Sequence, residues 1–589
     1  MTVALTLDAL TVNGLQAGAL ARLRVVLTSS EDGSPLPRVL PGVWFDVLDG
    51  SDAAAEDLST CQRRIARYAR GTGINPQALL DLNGYDVLTL NADASISVLD
   101  PRTQFAGKTS LKASLPLPGP GFDWATSADD RLLWVSVPAA NAVSVSDLAQ
   151  MRTLQTVALA GRPGRVRVEP GSERAWVGVA QADKASDPGG MAVIDPVPPF
   201  RQHWLPLGRG HAEVAFDPAG WAAVTQRDAA DVVFIDRSTL KVVRRQTVPM
   251  RGQAPPQLLG VLFDDLSRRF VVVEAREGNL WSFDHRGEPV GSMPLKPGIG
   301  PMALTPDGRW LLVANPSAHK VDVIDLPAWR HAQTVPVSGR PFQIGATSSY
   351  AYIRALDSEA VSLIAIPSLS GTPRVQSIAM GERPPGRSAN LPLAAQLAPM
   401  IDGSGSFVAS PGDNAVYFYM EGMNAAAGSV SARGHELRAV RVARRGLREG
   451  APGTYEMQVD LPAANRLVVA VATDAPRMRQ CASVTLAPAS PLAAPEWQLA
   501  WDGFPVTGTT LALRIEGTPE RSLPGAVQVR LFQPGSAGLD VVAHARGQGR
   551  YQAELPDLAE GLWYVHPKPP DGSGAQWAYA SFVRSAARR

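Results

Sequence analysis

Residues 311–325, LLVANPSAHKVDVID, consist of an apolar strand, a polar turn and a second apolar strand that ends in Asp325. The same pattern recurs through eight copies between residues 88 and 421, for example LWVSVPAANAVSVSD at 133–147. In the first six copies the unit ends in an aspartate, and the period is 41 to 48 residues: Asp100, Asp147, Asp195, Asp236, Asp284 and Asp325. The chain is therefore a repeat protein over about 340 residues.

Two further strands accompany several copies. An apolar strand that ends in a turn precedes them, as in PMALTPDGRW (301–310), and a strand closed by Gly and Pro follows them, as in TVPVSGRP (334–341). Four strands per period predict an all-β fold with a β-propeller of four-stranded blades. Eight copies favour eight blades. The first copy lacks an inner strand and the last lacks an outer one, so the two would complete one blade in a seven-bladed alternative.

The copies resemble the YVTN repeat of YncE-like propellers, whose units read strand, Asn/Asp turn, V-x-V-I-D. This resemblance implies the propeller fold and a bacterial periplasmic or surface protein. Related propellers include the haem-bearing propeller of bacterial nitrite reductase, amine dehydrogenase subunits and lactonases. The fold therefore does not name the function.

The flanks indicate two immunoglobulin-like sandwiches. Residues 506–535 and 16–49 share one strand plan, and 453–471 parallels 549–567. We interpret 489–589 as one complete sandwich and 1–50 with 425–488 as the two parts of another, which the propeller at 85–424 splits. Helical spacing at 51–84 predicts a short helical connector.

The only cysteines, Cys61 and Cys481, stand 420 positions apart. They are compatible with one disulfide or with two buried thiols, and the split sandwich makes a disulfide geometrically reasonable. The N-terminus does not have the pattern of a signal peptide. We expect a periplasmic or extracellular protein whose leader is absent from this sequence, with a cytoplasmic protein as the alternative.

Charge and hydropathy exclude two classes of partner. Lys plus Arg (56) balances Asp plus Glu (55), whereas nucleic-acid binders carry a basic excess. No run of about 18 apolar residues is present, which excludes a membrane-spanning helix. We interpret the densest basic stretches as solvated surface: Arg444, Arg445 and Arg448, and Arg584, Arg588 and Arg589.

The candidate ligand-binding residues lie at blade corners. His211 opens an inner strand and would face the central channel, where propellers usually bind ligands. A funnel of four arginines at comparable corners would attract a small anionic ligand: Arg162, Arg165, Arg340 and Arg387. Met420, Met423 and His435 offer a soft-metal site for copper. A haem would use His211 as its axial ligand.

The sequence contains no Walker phosphate loop, CxxCH, HExxH or GxSxG motif. We therefore expect a non-enzymatic periplasmic binding or scaffold protein that serves a redox or metal-handling system, with a protein partner or a small anionic ligand. One alternative is a haem- or quinone-linked oxidoreductase subunit or cofactor-assembly protein. A lactonase-like hydrolase is the second.

Overall fold

The computed structural model describes most of the 589 residues. The described residues are 2–10, 14–37, 39, 41–47, 58–70, 80–81, 84–100, 111–180, 189–208, 212–226, 229–383, 392–401, 403–432, 434–462, 464–474, 477–488, 497–501, 506–507, 509–517, 525–533, 539–567 and 580–584.

The chain begins with three strands, one helix and a short strand: β1 (Thr2–Ala9), β2 (Leu20–Thr28), β3 (Gly42–Val47), α1 (Leu58–Arg70) and β4 (Leu80–Asp81). The helix is amphipathic. Cys61 and Ile65, four positions apart, are buried, while Gln62 and Arg63 are exposed.

The repeats form eight four-stranded antiparallel sheets, and the segment begins with β5 (Tyr85–Asn91), β6 (Ser95–Leu99) and β7 (Leu111–Pro116). Sheet 1 contains β8 (Asp123–Thr126), β9 (Leu132–Val137), β10 (Ala142–Asp147) and β11 (Arg152–Ala158). Sheet 2 contains β12 (Arg162–Val168), β13 (Ala175–Ala180), β14 (Gly190–Ile194) and β15 (Gln202–Pro206). Sheet 3 contains β16 (Ala212–Phe216), β17 (Trp221–Gln226), β18 (Asp231–Asp236) and β19 (Lys241–Thr247). Sheet 4 contains β20 (Leu258–Asp264), β21 (Arg269–Glu274), β22 (Asn279–Asp284) and β23 (Pro289–Pro294).

The next three sheets follow the same plan. Sheet 5 contains β24 (Met302–Leu304), β25 (Trp310–Asn315), β26 (Lys320–Asp325) and β27 (Arg330–Pro336). Sheet 6 contains β28 (Pro341–Ala346), β29 (Tyr350–Ala355), β30 (Ala360–Ala365) and β31 (Val375–Ala379). Sheet 7 contains β32 (Leu397–Pro399), β33 (Gly405–Ser410), β34 (Ala415–Met420) and β35 (Gly428–Ser431).

Sheet 8 joins the two ends of the repeat segment. Its first strand, β36 (Leu437–Arg444), pairs with β5, which continues to β6 and β7. The first copy thus receives its inner strand from the chain after the last copy, and the last copy has its own outer strand, β35. Both β35 and β36 lie beyond residue 424, where the sequence predicts the propeller to end, and both pair within these sheets.

Each sheet packs on the next through one apolar cluster, and sheet 8 packs on sheet 1. Side chains that alternate along a strand supply both neighbours. On β9, Trp134 packs against sheet 2, while Leu133 and Val135 pack against sheet 8. The eight sheets form a closed ring, which we call the ring, and this all-β arrangement is consistent with a β-propeller.

After the ring, four strands return to the strands that precede it: β37 (Arg448–Ala451), β38 (Thr454–Asp460), β39 (Arg466–Asp474) and β40 (Arg477–Thr485). They form two antiparallel sheets, each of which combines strands from before and after the ring, with the orders β1-β2-β38-β37 and β4-β3-β39-β40. One core joins them, with Leu23 and Phe45 from the N-terminal side and Tyr455 and Val469 from the C-terminal side. We call these strands with α1 the flanking unit.

A disulfide between Cys61 and Cys481 fastens α1 to β40. The two Cα atoms are 5.7 Å apart, and both residues are buried against Trp44 and Ile65. The disulfide alternative is confirmed. Cys61 and Cys481 are 420 positions apart in the sequence, but they lie close together because the flanking unit contains segments from before and after the ring.

The C-terminal strands are β41 (Trp497–Ala500), β42 (Val506–Thr507), β43 (Thr510–Gly517), β44 (Ala526–Phe532), β45 (Leu539–Gly547), β46 (Arg550–Glu554), β47 (Gly561–Pro567) and β48 (Ala580–Arg584). They pair in the order β41-β43-β46-β45-β44-β47-β48, with β42 beside β43. Among the described residues, no helix is long and apolar enough to cross a membrane.

Candidate functional site

The first strand of each sheet lies toward the centre of the ring, because these strands contact one another around it, as β8, β12 and β16 do. On these strands Arg165 and Arg167 meet two acidic side chains. Arg165 Nε lies 2.5 Å from Glu213 Oε1, and Arg167 Nη1 lies 3.6 Å from Asp123 Oδ2. Burial would lower the pKa of Arg165, but the charges of Glu213 and Asp123 raise it above its ordinary value. The positive charge of Arg165 is thus balanced by the carboxylates of Glu213 and Asp123.

Residues 392–396, which we call the strap, cross the centre of the ring. Arg165 Nη1 of sheet 2 donates a hydrogen bond to Leu393 O at 3.4 Å. Gln343 Nε2 of sheet 6 donates to the next carbonyl, Ala394 O, at 3.3 Å. Side chains from sheets 2 and 6 thus reach neighbouring carbonyl groups of the strap.

Two more sheets hold the strap through main-chain hydrogen bonds. Ala394 N donates to Phe122 O beside sheet 1 at 3.0 Å, and Val440 N of sheet 8 donates to Ala395 O at 2.9 Å. Gln396 N donates to Gln343 Oε1 at 2.6 Å, and Ala394 is 1% exposed. At this level the chain itself occupies the centre of the ring.

The predicted funnel residues have different positions. His211 and Arg387 lie outside the described residues. Arg162 is exposed at the start of β12. Arg340 pairs with Asp357 at 3.2 Å, and both side chains are partly exposed. Of the three predicted arginines that the structure describes, Arg165 is the one with a hydrogen bond to the strap.

The predicted soft-metal residues also occupy distinct positions. Met420, at the end of β34, is 37% exposed, and Met423, in the following turn, is 43% exposed. His435 is buried, and its Nδ1 lies 2.7 Å from Asp93 Oδ2. Within the described part of the chain, no group of three or more His, Cys, Asp or Glu side chains is placed to hold a metal ion. The copper site remains a prediction.

A cleft of about 200 Å³ lies where the ring meets the flanking unit. Sheet 8 and sheet 1 contribute two of its walls, and β38 contributes the third. Its apolar lining consists of Leu88, Leu148, Ala149, Met151, Ala443, Met457 and Val459. Charged side chains complete the lining: Asp86, Lys112, Asp129, Asp130, Arg131, Arg444, Arg445, Arg448 and Glu456.

Polar contacts fix the flanking unit to the ring beside the cleft. Arg131 Nη1 of sheet 1 donates to Gln458 Oε1 of β38 at 2.7 Å. Arg448 of β37 forms an ion pair with Asp130. Asp130 also accepts from Thr126 Oγ1 at 2.5 Å. These contacts give the cleft walls a fixed relative position.

Most charges in the cleft are paired. Asp86 lies between Arg445 and Lys112, each at 3.2 Å, and burial raises the pKa of Asp86 despite these two cations. Arg131 pairs with Asp147 at 2.9 Å. Arg444 differs, because no ion pair reaches its guanidinium from the described residues, and its main-chain N–H donates to Asp130 at 2.9 Å. Partial burial and the charge of Arg448 lower the pKa of Arg444 from its ordinary value.

All three arginines that the sequence interpretation assigned to solvated surface line the cleft, where Arg444 is exposed and Arg445 and Arg448 are partly buried. Their acidic partners, Asp86 and Asp130, lie more than 300 positions earlier in the chain. The one local signal was their position. Arg444 ends β36 directly after the alternating residues VRVA (440–443), and Arg445 and Arg448 follow it. A strand end rich in arginine is a common surface feature, so this signal did not distinguish a cleft from a solvated turn.

Comparisons with known proteins supply fold likenesses only. No family model matches the chain, and no curated protein sequence matches it. Apo AztD from Citrobacter koseri is 12% identical with a TM-score of 0.47, covering 61% of this chain and 98% of that chain. The dihydro-heme d1 dehydrogenase NirN in complex with DHE is 14% identical with a TM-score of 0.36, covering 70% and 77%. The β-propeller domain of Cps50 (Swd1) from Myceliophteria thermophila is 13% identical with a TM-score of 0.35, covering 50% and 95%. Since each of these three TM-scores is below 0.5, function must be argued from this chain's own residues.

Proposed function

We propose that this chain is a non-enzymatic binding protein whose ligand occupies the cleft between the ring and the flanking unit. The observation that carries the proposal is the cleft itself, which combines an apolar lining with charged side chains at a junction between structural units. Ligand sites concentrate at such junctions, and a mostly apolar lining with a few placed polar groups is their usual composition. The ring serves as a rigid scaffold for one side of the site.

The scaffold that we propose is an eight-bladed propeller of the YVTN kind inserted into an immunoglobulin-like sandwich. Eight sheets that pack in a closed cycle support the blade number. The orders β1-β2-β38-β37 and β3-β39-β40 support the sandwich, because they correspond to strands ABED and CFG of an immunoglobulin-like domain. The ring then lies between strands C and D. The C-terminal strands repeat the same order.

The compartment that we propose is the bacterial periplasm or another oxidising location. The buried disulfide between Cys61 and Cys481 supports it, because disulfides persist in oxidising compartments and are rare in the cytosol. A redox or metal-handling partner system remains part of the proposal. In this proposal the ligand binds in the cleft, whichever partner system supplies it.

The strap bears on the haem alternative. Hydrogen bonds from sheets 1, 2, 6 and 8 hold the strap at the centre of the ring, in space that an axial haem at that level would need. The cleft, in contrast, is open. This difference is why the cleft rather than the axis is our proposed site.

The test compares protein isolated from its native compartment with an Ala149→Trp variant isolated in the same way. Ala149 is exposed and lines the cleft, so an indole there would fill the cleft without disturbing a core. The matched control is Ala328→Trp, since Ala328 is an exposed residue in the corresponding turn of sheet 5. The main-chain N–H groups of Ala149 and Ala328 each donate to the aspartate that ends the preceding strand.

Small molecules extracted from each protein are identified by mass spectrometry, with an absorption spectrum and metal analysis of each sample. We expect one molecule to be present in the extracts of wild type and Ala328→Trp and to be missing from the extract of Ala149→Trp. Because the proposed role is non-enzymatic, this molecule should be chemically unchanged after incubation with the wild-type protein. Identical extracts from all three proteins would contradict the proposal. A haem absorption that is lost in His211→Ala would replace it with the oxidoreductase or cofactor-assembly alternative.

A further inference from the structure

We propose that the ligand of the cleft is a small molecule with an apolar body and a single anionic group, which Arg444 binds. This inference rests on the proposed function and specifies its ligand. It follows from three properties of the cleft: its size, its apolar lining and the distribution of its charges.

The volume limits the apolar body to about one ring or a short branched chain. A cavity of about 150 Å³ accommodates benzene, so a cleft of about 200 Å³ has room for a ring and one small polar group. The body would contact Ala149, Met151 and Met457, which are exposed or partly buried, because Leu88, Leu148 and Val459 are 0%, 6% and 4% exposed and present almost no surface to the cleft.

Two methionines complete the apolar lining. Met151 of the ring and Met457 of the flanking unit are both partly buried and approach the cleft from different sides. Methionine is unbranched and adapts to irregular shapes, which suits a flat or branched apolar group. These two methionines can therefore accommodate a hydrocarbon body.

The charges favour one anionic group. Every acidic side chain of the cleft has a hydrogen-bond donor or cation beside it. Asp86 has Arg445 and Lys112, Asp129 accepts from Ser127 and Arg131, Asp130 has Arg448, and Glu456 has Arg24. None of the four is left to attract a ligand cation.

Arg444 is the cation of the cleft whose guanidinium lacks an acidic partner among the described residues. The planar guanidinium presents paired donors that match a carboxylate. A ligand carboxylate would therefore add an ion-pair partner for this exposed guanidinium, on which the more distant charge of Asp130 already acts. A polyanion would bring its additional charges close to four carboxylates, Asp86, Asp129, Asp130 and Glu456, so a single negative charge fits best.

The test uses phenylacetate and its uncharged isostere phenylacetamide, titrated by ligand-observed NMR into the full-length protein. Four proteins are compared: wild type, Arg444→Gln, Ala149→Trp and Arg438→Gln. Arg438 is the matched control, because it lies on the same strand as Arg444 but does not line the cleft. Circular dichroism and thermal unfolding establish that the variants remain folded.

We expect wild type and Arg438→Gln to bind phenylacetate equally and Ala149→Trp to lose the binding. Arg444→Gln should weaken it roughly 10- to 100-fold, which is the usual effect of removing a hydrogen bond between charged groups. Phenylacetamide should bind wild type correspondingly more weakly and should not respond to Arg444→Gln.

Two outcomes would overturn the inference. If both probes bind with equal affinity and only Ala149→Trp abolishes binding, the cleft binds ligands without selecting an anion, and the proposed function stands. If neither probe binds the wild type, the ligand class is wrong, and the comparison of extracts from native protein decides the proposed function separately.

Discussion

Arg165 and Gln343, from sheets on opposite sides of the ring, donate hydrogen bonds to consecutive carbonyl oxygens of the strap, Leu393 O and Ala394 O. A five-residue segment without strand structure thus connects sheets that are far apart in the ring. The strap closes the centre at this level, and the accessible cleft lies instead beside sheets 8 and 1.

The strap should contribute measurably to stability. Gln343→Leu removes the donor to Ala394 O and the acceptor of Gln396 N, and Gln396 is 1% exposed. Leaving buried main-chain groups unpaired costs about 1–3 kcal/mol. We expect a loss of this size in the free energy of unfolding measured with urea. Gln376→Leu, on the outer strand of the same sheet, is the control, and equal stability of the two variants would show that the strap contributes nothing.

The closure of sheet 8 should depend on a buried pair. His435 precedes the closing strand, and its Nδ1 contacts Asp93 Oδ2 in the turn between β5 and β6. We expect His435→Ala to lower the free energy of unfolding by about 1–3 kcal/mol, because Asp93 is 3% exposed and loses a partner. The control is His203→Ala, whose imidazole is 53% exposed and lies 3.8 Å from Asp195. An exposed pair contributes about 0–1 kcal/mol, so a larger effect at His203 would argue against this account.

The disulfide predicts the thiol content of native protein. We expect protein isolated from its native compartment to have no reactive thiol after denaturation without reductant, because Cys61 and Cys481 are joined. Reduction should destabilise the flanking unit by about 2–4 kcal/mol. Two free thiols per chain in the unreduced native protein would contradict both the bond and the oxidising compartment.

The C-terminal strands should become less stable in mild acid. Burial, and then the charge of Arg530 directly across from it, lowers the pKa of His566 to about 4 from 6.5. The unfolded chain therefore takes up a proton more readily than the folded chain. The stabilisation is present above pH 6.5 and is lost as the pH falls through about 4, a loss on the order of 3 kcal/mol.

Unfolding followed between pH 7 and pH 4 by tryptophan fluorescence and hydrogen exchange tests this dependence. His566→Gln should remove most of the pH dependence in that window. His544→Gln, at an exposed position on β45, should keep it. An unchanged pH dependence in His566→Gln would show that other groups cause the loss.

The sequence was most informative where the pattern was local. The alternation in LLVANPSAHKVDVID predicts β25 and β26 because both strands lie within fifteen consecutive residues. The strand β36 was missed as part of the ring, because its partner β5 lies about 350 residues earlier. Pairing between distant segments leaves no local periodicity to detect.

The site was harder to predict for the same reason. His211 and the corner arginines were chosen from their positions in the repeat, and the structure has Arg165 within β12, the first strand of sheet 2. It gave no information on the strap, whose polar contacts come from four sheets. Nor did it identify Arg444 as the cation without an acidic partner, because that status depends on where Asp86, Asp130 and Asp147 lie in space.

The central claim is that the cleft between the ring and the flanking unit holds the ligand, and a crystal structure of the protein crystallised with phenylacetate tests it most directly. The account predicts density for the probe beside Ala149, Met151 and Met457, with its carboxylate within hydrogen-bonding distance of the Arg444 guanidinium. Density for the probe on the ring axis, with ordered water alone in the cleft, would contradict it.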